Sequence, residues 1–194
     1  IKLLLLLTVL TLLPSILIMM TSFTRIVIVL SFLRNSMGTQ QIPPNQVVIG
    51  LSLFITFFIM TPVFGEINVK ALEPFANNQI TIEECITRSE NSIKDFMLGY
   101  TREKDLALFA SIAKIEPPEN LTELPITVVV PAYMISELNT AFRMGFMLYI
   151  PFLVIDMVVA STLMAMGMMM LPPVMISMPF KILLFILVDG WNLL

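Results

Sequence analysis

The sequence predicts an all-α, membrane-associated fold: about four long hydrophobic helices, kinked at prolines and paired as hairpins, with a small extracytoplasmic helical segment between them. Three observations predict it. The 194 residues are 57% hydrophobic and only 13% charged, with a mean hydropathy of +0.92, whereas an ordinary soluble domain carries roughly 25% charged residues. Apolar runs long enough to cross hydrocarbon occupy both ends of the chain. Between them, from Glu66 to Glu123, lie 17 of the 25 charged residues. The expected division is therefore 1–65, a first hydrophobic hairpin; 66–123, a polar acidic segment; and 124–194, a second hairpin with a methionine-rich loop.

Composition narrows the function classes. A net charge of −3 without a basic, aromatic-interleaved cluster leaves no nucleic-acid footprint. Cys85 stands alone and there is no histidine. Internal disulfides, multi-cysteine metal sites, histidine-containing zinc sites and histidine triads are therefore excluded. No cofactor, metal or catalytic residue is expected.

The first run, Leu3 to Leu33, exceeds the ~20 residues one helix needs. Its start, IKLLLLLTVLTLL, is like the apolar core of a secretory signal. It has neither an initiating Met nor a small-residue cleavage site and runs on past Thr21, so it is read as mature chain. Pro14 is expected to bend this helix. Arg25 has no acidic residue within a turn or two, so its partner comes from another helix or chain, unless it snorkels to an interface. Arg34 to Gln46, RNSMGTQQIPPNQ, is a polar turn punctuated by Gly38 and Pro43-Pro44. Val47 to Phe64 then makes a second helix, closed by Pro62 and Gly65.

In the polar segment, Thr81-Ile-Glu-Glu84 is a capping box. Ile82, Cys85, Ile86, Ile93, Phe96 and Met97 follow at helical spacing, leaving Glu83, Arg88, Glu90 and Lys94 outward. A second helix from about Arg102 to Lys114 buries Leu106, Phe109, Ala110 and Ala113 and stops at Pro117-Pro118. The short turn carries Arg34 and no acid, whereas the middle segment is acidic. The turn is thus expected to be cytoplasmic and the segment extracytoplasmic.

Val128 to Leu171 would extend ~65 Å as one helix, so Pro131 and Pro151 are expected to break it. The apolar blocks hold Arg25, Arg143 and Lys181 against Glu137, Asp156 and Asp189. Each costs at least ~2.5–3.5 kcal/mol at apolar depth. Glu137 and Arg143 are out of phase on a helix, and Lys181 and Asp189 lie two turns apart, although Asn139 and Arg143 can meet. Pairing between helices or between copies of the chain is therefore expected, as a device that fixes register rather than as a proton relay. A catalytic dyad of Glu137 with Asp156 lacks any accompanying nucleophile elbow, phosphate loop or metal motif.

Eleven of the 16 methionines lie between Met134 and Met178. Scattered ones such as Met144 and Met157 are core filler. Met168, Met169 and Met170 differ, because they follow Gly167 and precede Pro172-Pro173, where no helix continues. Contributed by several copies, such a loop forms a compliant apolar closure that excludes ions by dewetting yet deforms around passing chains.

These segments, PAYMISELNTAFRMGF, PFLVIDMVVAS, MGMMMLPPVMISMPFK and the closing VDGWNLL, resemble the signature segments of the FliP/SctR family of type III secretion export-gate subunits. Upstream, TSFTRIVIVLSFLRNSMGTQQIPPNQVVIG extends the likeness, and its TQQ-PPNQV wording is closer to the flagellar branch than to the virulence branch. The polar middle carries no family motif. The resemblance implies a non-enzymatic subunit of the bacterial inner membrane and flagellar basal body that passes unfolded secreted proteins through a central channel. Met168, Met169 and Met170 would be its gasket. It also implies a ring of five copies completed by FliQ-like and FliR-like subunits and associated with FlhB-like and FlhA-like components. Such proteins often have a cleavable leader, and their nominal spans are thought to lie largely above the bilayer, shielded by partner chains. The alternatives are a virulence-type export gate, a secondary transporter or ion channel with Glu137, Arg143 and Asp156 as coupling site, and a membrane enzyme.

Overall fold

The computed structural model describes residues 7, 11, 14–39, 42–115, 120–168 and 170–190. Every regular element among them is helical. They are α1 (Pro14–Met20), α2 (Phe23–Ser36), α3 (Asn45–Ile67), α4 (Glu73–Ala76), α5 (Ile82–Tyr100), α6 (Glu103–Ile112), α7 (Ile126–Ala165) and α8 (Pro173–Leu187), with a π-helical turn at Asn68–Leu72 and a 3-10 turn at Leu121–Glu123. The fold is all-α and of membrane type. Asn45–Ala76 and Ile126–Ala165, of 32 and 40 residues, are each long and apolar enough to cross a membrane, and α1 with α2 makes a third candidate if the bent pair is one span.

Residues 12 and 13, just before Pro14, lie outside the described residues, and the bend expected there falls outside them too; α1 and α2 meet at a bend of 78° at Thr21-Ser22. Hydroxyls cause it. Thr21 Oγ1 donates to the Leu17 carbonyl at 2.5 Å and Thr24 Oγ1 to that of Ile18 at 2.7 Å, while the Phe23 N–H donates to Thr21 Oγ1. Side chains thus take up the backbone groups freed where one helix stops and the next begins.

Prolines interrupt less than expected. α3 continues through Pro62 and Gly65, and α7 runs unbroken through Pro131 and Pro151. An interior proline removes one backbone hydrogen bond and costs ~3 kcal/mol, a local penalty that a 40-residue apolar helix absorbs. Pro74 accompanies a change of winding, the π-helical turn Asn68–Leu72 that precedes it. Pro74 has no N–H for the Lys70 carbonyl four residues back. Arg88 Nη1 donates to that carbonyl instead, at 3.2 Å.

The chain forms two compact units, one of the described residues up to Ile26 with Ser52–Thr140, the other of Val27–Leu51 with the described residues from Ala141 on. In the first, Met97, Leu106, Leu124, Val129, Ala132 and Tyr133 make the core. Thr81 caps α5, accepting from the Glu84 N–H. Leu106 and Ala110 of α6 are buried as expected, but Ala113 is exposed. So are Ile82 and Ile86, at 58% and 61%. Lys94, expected outward, is buried instead and donates to the Leu124 carbonyl at 3.4 Å, its aliphatic stem serving as core. The second unit packs Leu33, Met37, Phe152 and Phe185 together. Phe32 meets Phe142 edge-on, centroids 5.7 Å apart, and lies so close to Gly145 that a Cβ there would be 2.7 Å from the ring.

Candidate functional site

Within the apolar sequence of α7, the run Ser136-Glu137-Leu138-Asn139 uses every polar side chain. Glu137 is wholly buried, and its carboxylate accepts from two nitrogens of Arg25 on α2, Nε at 2.8 Å and Nη2. An aromatic wall backs the pair. The Arg25 guanidinium lies 4.9 Å over the Tyr100 ring, a cation–π distance, and Phe96 packs against both Tyr100 and Tyr133. Tyr133 is wholly buried one helical turn before Glu137, and its hydroxyl has no partner among the described residues.

Ser136 and Asn139 hold the start of α6. Ser136 Oγ donates to Asp105 Oδ2 at 2.7 Å and accepts the Arg102 N–H at 3.0 Å, and Arg102 bridges Asp105 (Nε, 2.7 Å) and Asn139 (Nη1, 2.6 Å). Burial pushes the Asp105 carboxyl up, but the Ser136 hydroxyl and the Arg102 guanidinium outweigh it and hold it below the usual carboxylate range. Only the Arg102–Asp105 pair, three residues apart, is local; the links to Ser136 and Asn139 span 31 to 37 residues and leave no sign in the sequence. Asn139 turns to Arg102, not to Arg143 as its spacing suggests.

The second unit contains a separate pair. Lys181 on α8 is 1% exposed, and its Nζ donates to Asp156 Oδ2 of α7 at 2.6 Å and to the Ser36 carbonyl at the end of α2 at 3.0 Å. Ser177 Oγ donates to the other Asp156 oxygen. One ammonium thereby neutralises a carboxylate and caps an orphan helix carbonyl. Arg143 and Asp189 are exposed and have no ionic partner among the described residues. Asp189 adopts positive φ just past α8, where the Gly190 N–H returns to the Phe185 carbonyl. It ends the helix as a left-handed cap, a conformation Asp tolerates better than most side chains.

The methionine loop begins with the same device. Gly167 has φ +74°, its N–H donating to the Met164 carbonyl and that of Met168 to the Leu163 carbonyl. These bonds close α7 in a Schellman motif that requires a left-handed residue, hence glycine. Met168 is 47% and Met170 99% exposed; Met169 lies outside the described residues. Among the described residues no three His, Cys, Asp or Glu side chains gather as a metal site.

Residues 6–194 match the model of the FliP family. The flagellar biosynthetic protein FliP of Bacillus subtilis (strain 168) is 65% identical over 194 residues, all of this chain and 88% of the relative. Those of Aquifex aeolicus (strain VF5) and Pectobacterium carotovorum are 57% and 56% identical, with 100% and 98% of this chain aligned to 82% and 74% of theirs. At that identity and coverage the chain belongs to the FliP family.

Proposed function

We propose that this chain is a pore-forming subunit of the export gate of the flagellar type III secretion apparatus, in the bacterial inner membrane. Several copies, five by family resemblance, surround a path for unfolded secreted proteins, joined by FliQ-like and FliR-like subunits and by FlhB-like and FlhA-like components. The polar segment faces away from the cytoplasm. The chain supplies no chemistry; energy for transport comes from elsewhere. The observation that carries the reading is the methionine loop, with Met168 and Met170 exposed on a capped turn in a chain whose relatives are named for flagellar biosynthesis. Flexible thioether side chains beside a capped helix end suit a closure that conforms to many sequences and wets poorly when empty.

A transporter reading that uses Glu137, Arg143 and Asp156 as a coupling site is less well supported. Each carboxylate is already bonded to a cation inside its own unit, and Arg143 has no ionic partner among the described residues. Site-specific photocrosslinking from position 170 in the whole apparatus tests the export reading. With a secreted protein stalled by a folded fusion, crosslinks to that protein are expected. Efficient crosslinking only to neighbouring subunits, stalled or not, contradicts it.

A further inference from the structure

We propose that the cleft between α2 and α3 binds an anionic phospholipid, with an acyl chain along its wall and the phosphate on Arg34. The cleft encloses about 340 Å³, within the ~300–1,000 Å³ typical of small-ligand clefts. Leu30, Leu33, Met37, Val47 and Leu51 line it, and Arg34 is its single charged residue. It is open at the mouth, where Ile42 and Val47 are 72% and 54% exposed. Arg34 already fastens the hairpin turn, Nη1 donating to Asn45 Oδ1 and to the Pro43 carbonyl. That accounts for one nitrogen. Nη2 makes no hydrogen bond among the described residues and is the nitrogen a phosphate in the cleft would meet, whereas the Nε is buried there without an acceptor. The guanidinium has no ionic partner among the described residues. The cleft thus asks for hydrocarbon and an anionic oxygen acceptor in one molecule. A zwitterionic lipid offers the phosphate without the net charge, and a partner helix would need an acceptor in register.

The test uses the whole assembled complex, purified in detergent with a photoactivatable phosphatidylglycerol and, separately, the matching phosphatidylcholine. Preferential labelling of peptides from 30–51 by phosphatidylglycerol is expected, unaffected by excess inorganic phosphate. Arg34→Gln should lower it about tenfold, the effect of losing one hydrogen bond to a charged group. Val47→Trp, which fills the mouth but spares Arg34, should reduce labelling by both lipids. Equal labelling by the two lipids, or labelling confined to other peptides of the wild-type complex, overturns the proposal whether or not the variants assemble. So does a cleft that is photolabelled by neither lipid but cross-links through a cysteine at position 47 to a partner subunit.

Discussion

Removing one member of the Arg25–Glu137 pair should do unequal damage, depending on which charge is left behind. Glu137 is 0% exposed and both its oxygens accept from Arg25, whereas the Arg25 side chain is 23% exposed and keeps the Tyr100 face. Arg25→Leu therefore strands a buried carboxylate, at a cost of ~3–5 kcal/mol. Glu137→Gln leaves a cation that water and an aromatic ring still solvate, with a loss nearer the ~1.5–3 kcal/mol of a hydrogen bond to a charged group. Replacing both by leucine should be milder than Arg25→Leu alone, because no charge is then stranded. At ~2–4 °C per kcal/mol for a chain of this size, the melting temperature of the detergent-purified protein should fall by about 10 °C for Arg25→Leu and by about half that for Glu137→Gln. Yield of assembled complex should follow the same order. Equal effects of the two single substitutions, or a double variant as unstable as Arg25→Leu, would refute the reasoning. Wild-type yield with lost transport after Glu137→Gln would favour a coupling role instead.

Gly145→Ala puts a methyl group 2.7 Å from the Phe32 ring and should cost ~1–3 kcal/mol by overpacking. Phe32→Leu in the same chain should restore much of the loss, read as melting temperature. Asp105 gives a pH signature. Its folded pKa is depressed, so its contribution is complete above the unfolded value of ~3.9 and fades as pH falls from there through the folded value. Melting scans from about pH 6 to pH 3 should show an acid loss that Asp105→Asn, already weakened at neutral pH, lacks.

Particular residues show what the sequence makes legible. The spacing of Ile93, Phe96 and Met97, the Thr81 cap and the polar turn around Pro43-Pro44 are local signals, and the structure has a helix or a turn at each. That Arg25 needs a partner is equally local, since a lone charge in an apolar run demands one. Which partner is not, because Glu137 lies 112 residues away and only packing brings α2 to α7. The prolines mislead for the opposite reason: their penalty is real but local, one lost hydrogen bond in a helix of 23 or 40 residues, and α3 and α7 continue past it. Lys94 shows the same limit in the polar segment, where a helical pattern assigns a charged residue to water although its stem completes the core.

The most direct measurement is ion leak in cells that express the whole complex with Met168, Met169 and Met170 together replaced by alanine. A compliant methionine seal predicts raised leak at unchanged complex yield. Unchanged leak with the complex intact would contradict a sealing role and reduce the loop to packing.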